Sequence, residues 1–188
     1  MKHIAIFASG NGTNAENIIN YFAEHPGGTA VCLIVSGKPD AFVLNRAEKY
    51  HIPAIVLTRE EFYNTENIID CLNKYKIDLI VLAGFMWLVP AYLIRAFPDK
   101  IINIHPALLP KFGGKGMYGA KVHKAVIDAK EKETGVTIHY VNERYDEGKI
   151  IFQARCNITD NDTPETLAEK VHQLEYENYP AVIEGLPG

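Results

Sequence analysis

The stretch DLIVLA, from Asp78 to Ala83, is the clearest indication of fold class in this sequence. After its aspartate the stretch is apolar without interruption, whereas a strand with one solvated face alternates apolar and polar residues. An uninterrupted run is typical of a strand that is buried on both faces, in the middle of a parallel sheet. The stretch therefore predicts a protein of the α/β class.

The same pattern of a short aliphatic run, a turn and a longer amphipathic segment recurs on both sides of this stretch. The runs predict strands, and the amphipathic segments predict helices. The expected strands are 4–8, 30–36, 54–57 and 101–104, and the expected helices are 15–23, 41–50, 60–74 and 90–97. Alternation of this kind favours a doubly wound, mostly parallel sheet of Rossmann-like architecture.

The last third of the chain has a different pattern. Residues 134–141 and 149–155 are strand-like, and the seven residues between them are too few for a crossover helix. We therefore expect an antiparallel strand pair at one edge of the sheet. Thr163 and Pro164 are typical of a helix start and predict a final helix to about residue 182. We expect residues 1–188 to form a single domain.

Composition and charge narrow the function classes. The 188 residues carry a formal net charge of −4, which gives no support to binding of nucleic acid or an acidic membrane. No apolar run approaches the roughly 18–20 residues that span a bilayer. Cys32, Cys71 and Cys156 lie far apart, without the spacing of a zinc site or a disulfide framework. These features predict a cytoplasmic protein.

Two loops at predicted strand ends have a composition that suits ligands. In doubly wound sheets, ligands bind beyond the carboxyl ends of the strands. Residues 9–14 (SGNGTN) open a helix after the first strand and would suit a phosphate, although a tight turn explains them equally well. Residues 84–90 (GFMWLVP) follow the fourth strand and would line a slot for a flat ring, unless they only pack in the core.

The fifth strand ends in the strongest candidates for catalysis. Asn103 and His105 are two residues apart and so lie on the same face of an extended strand. An asparagine amide can stabilise an oxyanion, and a histidine can act as a general acid or base near neutral pH. The loop 142–148 is expected to return Asp146 to the same end of the sheet. A carboxylate beside His105 would raise its pKa, and the alternative is a solvated turn acid.

Four motifs then suggest a family. SGNGTN, LAGFM (82–86), NIHPALLP (103–110) and Asp146-Glu147-Gly148 occur in this order. Together they resemble the phosphoribosylglycinamide formyltransferase family of folate-dependent enzymes over nearly the whole chain. The resemblance implies transfer of the formyl group of 10-formyltetrahydrofolate to the amine of 5′-phosphoribosylglycinamide in purine biosynthesis. It implies small-molecule substrates, no metal ion, and a monomer or homodimer.

The resemblance also implies roles for individual residues. Asn103 would stabilise the tetrahedral oxyanion, His105 would act as proton shuttle, and Asp146 would hold His105 and raise its pKa. The N-terminal half would bind the phosphate, and the C-terminal half would carry the folate and catalytic groups. The ribonucleotide is expected at Gly12, Thr13, Asn14 and Glu175, and the folate at Met86, Trp87, Leu88, Val89 and Asn103.

The chain departs from the family pattern in three places. Trp87 stands where many members have an arginine, and Thr65 stands where some relatives have a further arginine that contacts folate, so the folate tail would be held differently. The loop Lys111–Lys121 is longer than usual, and its lysines would meet either solvent or an anionic group of a substrate. The Leu109–Pro110 bond is a candidate cis peptide. Other interpretations stay open, namely an amine acceptor such as an amino-sugar nucleotide, or a non-catalytic nucleotide-binding module.

Overall fold

The computed structural model describes residues 1–187, and these form seven strands and seven helices around one sheet. Most strands alternate with helices along the chain, as the sequence pattern predicts. In chain order the elements are β1 Lys2–Phe7, α1 Thr13–Glu24, β2 Thr29–Ser36, α2 Val43–Lys49, β3 Ala54–Val56, α3 Arg59–Asn64, α4 Asn67–Lys74, β4 Leu79–Leu82, α5 Ala91–Ala96, β5 Ile101–His105, α6 Ala120–Asp128, β6 Glu133–Tyr140, β7 Ile150–Asn157 and α7 Pro164–Gly185.

The strand order is β3-β2-β1-β4-β5-β6-β7. β1 to β5 are parallel, while β6 is antiparallel to β5 and β7 is antiparallel to β6. The order reverses between β1 and β4, which places the switch point of the doubly wound sheet beside the stretch DLIVLA. The predicted fold class and the antiparallel pair at one edge are both confirmed. Among residues 1–187, no helix is long and apolar enough to cross a membrane.

The central strands are buried on both faces. All four residues of β4 are at most 5% exposed, as an uninterrupted apolar run predicts. Alternate strand residues point to opposite sides of the sheet, so the core has two layers. On one side Ile6 and Val81 pack with α1 and α7, and on the other side Phe7 and Ile80 pack with α3, α4 and α5.

The single helix predicted over residues 60–74 is wrong, because the segment forms two helices. α3 ends at Asn64, and Thr65 is extended with φ −130° and ψ 164°. In one continuous helix Phe62 and Ile68 would point about 120° apart, at 3.6 residues per turn. The break lets both side chains enter the same core layer, where they are buried. Tertiary packing therefore overrides the local helical pattern.

Helix α6 was not predicted, and its buried face forms a small separate core. Val122 and Val126 are fully buried and pack with Ala107 and Leu167. The last helix follows the prediction more closely. Thr163 is its N-cap and accepts a hydrogen bond from the Thr166 N–H. α6 and α7 pack together and form one wall of the cavity described below.

Candidate active site

A cavity of about 530 Å³ opens at the carboxyl ends of β1, β4 and β5. Three loops that the sequence singles out line it, at residues 10–14, 84–89 and 103–106, and the loop at 144–146 joins them. The first two loops are tied together, because the Ser9 N–H donates to the Gly84 carbonyl (3.1 Å) and the Met86 N–H to the Ser9 hydroxyl (3.3 Å). The cavity therefore lies at the end of the sheet where the sequence pattern predicts the site.

His105, at the end of β5, is 3% exposed and lies between two hydrogen-bond acceptors. Its Nε2 donates to the carbonyl of Phe112 at 2.8 Å, and its Nδ1 lies 3.5 Å from Oδ2 of Asp146. The loop between β6 and β7 thus returns Asp146 to the end of β5, as expected. Only an imidazolium has a proton for both of these acceptors at once.

The pKa of His105 is lower than its ordinary value. Burial disfavours the charged imidazole and outweighs Asp146 and the Phe112 carbonyl, which both raise the pKa. Asp146 acts in the predicted direction, but burial, whose depth the sequence does not reveal, has the larger effect on the pKa of His105. The pKa of Asp146 is also lowered, since contacts with His139, His105 and the Gly114 N–H outweigh its burial.

A second histidine, His139 of β6, was missed by the sequence analysis. It is 2% exposed and lies directly opposite Asn103 in the β5–β6 pairing. The Tyr140 carbonyl accepts a hydrogen bond from Nδ1 of His139 at 2.8 Å, so in the neutral ring Nε2 is left as an acceptor. The amide nitrogen of Asn103 donates to that Nε2 at 3.3 Å. Asp146 also faces it, with Oδ1 at 3.6 Å.

The glycine-rich loop begins α1 in the manner that an anion site requires. Gly12 precedes the helix in the left-handed region (φ 74°), and the first N–H groups of α1 have no partners inside the helix. Gly12, Thr13 and Asn14 line the cavity, so an anion there would lie beside this helix end. Asn14, in the first turn, donates to Glu175 of α7 at 2.8 Å. Glu175 is 6% exposed, and burial raises its pKa to about 7 despite this hydrogen bond.

Two further histidines line the wall formed by α6 and α7. His123 is 2% exposed and its Nδ1 has no partner within residues 1–187. Burial and the neighbouring histidines lower its pKa to about 4, so the ring is neutral at pH 7. His172 stands edge-on to it, with the ring centres 6.4 Å apart. Neither residue was predicted, since a lone histidine in a helix is most often structural.

The aromatic side of the cavity is formed by the loop after β4. Met86 is 38% exposed, whereas Trp87 is half-buried and packs against Phe62 and Phe85. Leu88 and Val89 complete this wall, and Arg59 lies 5.6 Å from the Trp87 ring. Thr65, the C-cap residue that follows α3, does not line the cavity.

The long loop after β5 contributes part of the rim. Its residues 114–119 line the cavity, and the Gly114 N–H donates to Asp146 at 2.9 Å. Lys111 is paired with Glu131 at 2.8 Å, whereas Lys115 lines the cavity. The Leu109–Pro110 peptide is cis, as expected. Within residues 1–187 no group of three or more His, Cys, Asp or Glu side chains is placed to hold a metal ion, and a metal-free reaction stays a prediction.

Fold and site together define a doubly wound α/β protein with Asn, His and Asp side chains at the carboxyl edge of its sheet. The chain belongs to the formyl transferase family, whose model matches residues 2–183. It is 41% identical to the phosphoribosylglycinamide formyltransferase of Bacillus subtilis, covering 100% of this chain and 96% of that protein. It is also 41% identical to the chloroplastic phosphoribosylglycinamide formyltransferase of Arabidopsis thaliana, covering 97% of this chain and 64% of that longer protein.

Solved structures agree with this assignment. The crystal structure of glycinamide ribonucleotide transformylase 1 from Geobacillus kaustophilus has a TM-score of 0.90 at 38% identity, with both chains covered completely. The phosphoribosylglycinamide formyltransferase from Bacillus halodurans has a TM-score of 0.87 at 39% identity, covering 97% of this chain and 94% of that one.

Proposed function

We propose that this protein transfers the formyl group of 10-formyltetrahydrofolate to the amine of 5′-phosphoribosylglycinamide, a step of purine biosynthesis, in the cytoplasm. The observation that carries the proposal is the convergence of Asn103, His105 and Asp146 on the cavity that the glycine-rich loop also enters. The names of relatives that are 41% identical support the same reaction.

The reaction needs a group that stabilises the oxyanion, a proton donor for N10 and a proton acceptor for the amine. Asn103, His105 and Asp146 together offer these groups. The amine nitrogen attacks the formyl carbon, and the carbonyl oxygen becomes an oxyanion. The Asn103 amide carries two protons, of which one is directed at His139, so the other is free to stabilise the oxyanion. When the bond from the formyl carbon to N10 of the folate breaks, N10 takes up a proton and the attacking amine loses one. His105 mediates this exchange as proton shuttle.

Asp146 supports the proton shuttle through charge. Burial disfavours the protonated form of His105, and an acid is needed at the leaving nitrogen. The carboxylate, 3.5 Å from Nδ1, favours the imidazolium and orients the ring. The role of Asp146 is therefore to offset part of the cost of desolvation at His105.

The two substrates would occupy opposite parts of the cavity. The ribonucleotide phosphate would bind at the α1 N-terminus through Gly12, Thr13 and Asn14, and Glu175 would accept hydrogen bonds from the sugar. The folate ring would lie against Met86, Trp87, Leu88 and Val89 and reach Asn103. Residues 1–188 would thus act as one domain, with the phosphate site in the N-terminal half and the catalytic groups in the C-terminal half.

The test is single-turnover formyl transfer with a panel of amine acceptors that includes an amino-sugar nucleotide. We expect turnover with 5′-phosphoribosylglycinamide, and a rate loss of about 10²-fold or more in His105→Ala, which removes the general acid. Preference for another amine would overturn the acceptor assignment. Ribonucleotide binding without any turnover would instead identify a non-catalytic binding module.

A further inference from the structure

Arg46 of α2 reaches across to the glycine-rich loop and holds it at two points. Its Nε donates to the Asn11 carbonyl at 2.8 Å, and its Nη2 donates to Oδ1 of the same residue at 2.7 Å. Its Nη1 forms an ion pair with Glu16 of α1. The side chains of Arg46 and Glu16 are only 15% and 22% exposed, so the network is partly shielded from water. One guanidinium thus links α2, the loop and α1.

The start of α2 packs directly on this loop. The Val43 N–H donates to the Gly10 carbonyl at 3.2 Å. A Cβ on Gly12 would lie 2.5 Å from a methyl group of Val43, so the close approach and the positive φ both require glycine there. Helix α2 therefore packs against the side of the loop that faces away from the cavity. Arg46 itself does not line the cavity, but Asn11 does.

Glu16 gives this network an electrostatic role. A carboxylate in the first turn of α1 stabilises the helix, but it also repels an anion bound at the helix N-terminus. In this structure Glu16 is surrounded by compensating groups from α2. Besides Arg46, Lys49 lies 2.9 Å and the Tyr50 hydroxyl 3.1 Å from its Oε1. The positive charges of α2 therefore compensate the negative charge of Glu16, which would otherwise repel a phosphate at the end of α1.

We propose that Arg46 is a positioning residue for the ribonucleotide phosphate, an inference that rests on the proposed function. It acts through Asn11, a residue of the cavity wall whose backbone and side chain it holds in place. It also acts through Glu16, whose negative charge it offsets. A guanidinium is suited to this double task because its planar fork donates several hydrogen bonds in fixed directions.

The test compares steady-state kinetics of the wild type with Arg46→Gln, Arg46→Lys and the double variant Arg46→Gln/Glu16→Gln. The matched control is Arg155→Gln, which removes an Arg–Glu pair with Glu133 far from the loop, between β6 and β7. We expect Arg46→Gln to raise KM for the ribonucleotide about tenfold, with kcat and KM for the folate within about twofold. Arg46→Lys keeps the charge but loses the fork, so we expect a smaller rise.

The double variant separates the two contributions. Removal of Glu16 together with Arg46 restores the charge balance, so its KM for the ribonucleotide should lie between those of Arg46→Gln and the wild type. Calorimetry with the ribonucleotide and its dephosphorylated nucleoside provides a second measurement. We expect Arg46→Gln to weaken binding of the phosphorylated ligand only.

Several results would overturn the inference. One is a KM for the ribonucleotide that is unchanged in Arg46→Gln or that equals the wild-type value in Arg46→Lys. Another is a rise in KM in Arg46→Gln that is equal for the ribonucleotide and the folate. A third is a loss of calorimetric affinity in Arg46→Gln that is equal for the ribonucleotide and its nucleoside. If Arg46→Gln does not fold, Arg46→Lys alone decides, because it retains the ion pair with Glu16. Failure of the proposed function is distinguishable, since the wild type itself would then not turn over 5′-phosphoribosylglycinamide.

Discussion

The amide nitrogen of Asn103 lies 3.3 Å from Nε2 of His139, its direct partner across the β5–β6 strand pair. The Tyr140 carbonyl fixes the ring of His139 from the other side, at 2.8 Å from Nδ1. A primary amide can rotate by 180° about its terminal bond and present oxygen in place of nitrogen. This contact selects the orientation in which the amide nitrogen faces His139, and Asn103 lines the cavity.

We therefore expect His139→Ala to lower kcat, because the Asn103 amide would lose the partner that orients it. The expected loss is about tenfold, smaller than the roughly 10²–10³-fold loss for removal of an oxyanion donor itself, as in Asn103→Ala. His139→Gln should recover part of the activity, since its side-chain oxygen can accept the same hydrogen bond. Single-turnover rates at saturating substrate measure this. Equal rates in His139→Ala and the wild type would show that the contact has no role.

Replacement of Asp146 should change how activity depends on pH. Asp146 raises the pKa of His105 against the effect of burial, so Asp146→Asn should lower that pKa further. A smaller fraction of His105 is then protonated at any given pH. We expect kcat at pH 7 to fall by about 10²-fold, and the decline of kcat with rising pH to occur at lower pH. A pH profile of kcat between pH 5.5 and pH 9 tests this. An unshifted profile with a reduced maximum would contradict the proposed electrostatic role.

The strands of the parallel sheet could be predicted from the sequence because their burial is encoded locally. An uninterrupted apolar run such as residues 79–82 is typical of a strand buried on both faces, and polar residues at a strand exit, such as Asn103 and His105, stand out against it. Asp146 was identifiable only by resemblance, since turn acids are common. Its position depends on how the β6–β7 loop folds back to Gly114, a contact between residues 32 apart.

What the sequence did not reveal depends on contacts between distant segments. His139 gains its role from the β5–β6 register, which pairs it with Asn103. The break at Thr65 arises because Phe62 and Ile68 both enter one core layer. The lowered pKa of His105 follows from its depth in the finished structure, since the neighbouring carboxylate alone predicts the opposite shift.

Glu175 should make the stability of the protein decrease as the pH rises. Burial raises the pKa of Glu175 from an ordinary value of 4.5 to about 7, so the folded protein binds a proton that the unfolded chain releases. The stabilisation by this proton is complete below pH 4.5 and is lost as the pH rises to about 7. Glu175→Gln keeps a hydrogen-bonding group but cannot ionise. At pH 8 we expect the free energy of unfolding of this variant to exceed that of the wild type by about 2 kcal/mol.

The same variant should show no such advantage at pH 5, where Glu175 of the wild type is protonated. Urea unfolding at both pH values gives the two free energies. Glu169→Gln is the matched control, since this residue lies on the exposed face of the same helix. An equal gain at pH 5 and pH 8 would show that ionisation of Glu175 is not the cause.

The loop that carries Asp146 ends at Gly148, and an alanine there should damage both stability and catalysis. A Cβ at this position would lie 1.6 Å from the carbonyl oxygen of Tyr140, far inside contact distance. That carbonyl also accepts the hydrogen bond that fixes His139. The backbone therefore has to shift on one side or the other. We expect Gly148→Ala to lower the free energy of unfolding by about 2 kcal/mol or more.

Catalysis should suffer as well, because the shift separates Asp146 and His139 from His105 and Asn103. Urea unfolding and single-turnover rates, measured on the same preparation, test both effects. Gly28→Ala is the matched control, since a Cβ there meets no atom within 4 Å. It should leave the rate unchanged. If Gly148→Ala were as stable and as active as Gly28→Ala, the loop would have to accommodate the methyl group without moving Asp146. The inference that the backbone at Gly148 determines the positions of Asp146 and His139 would then be wrong.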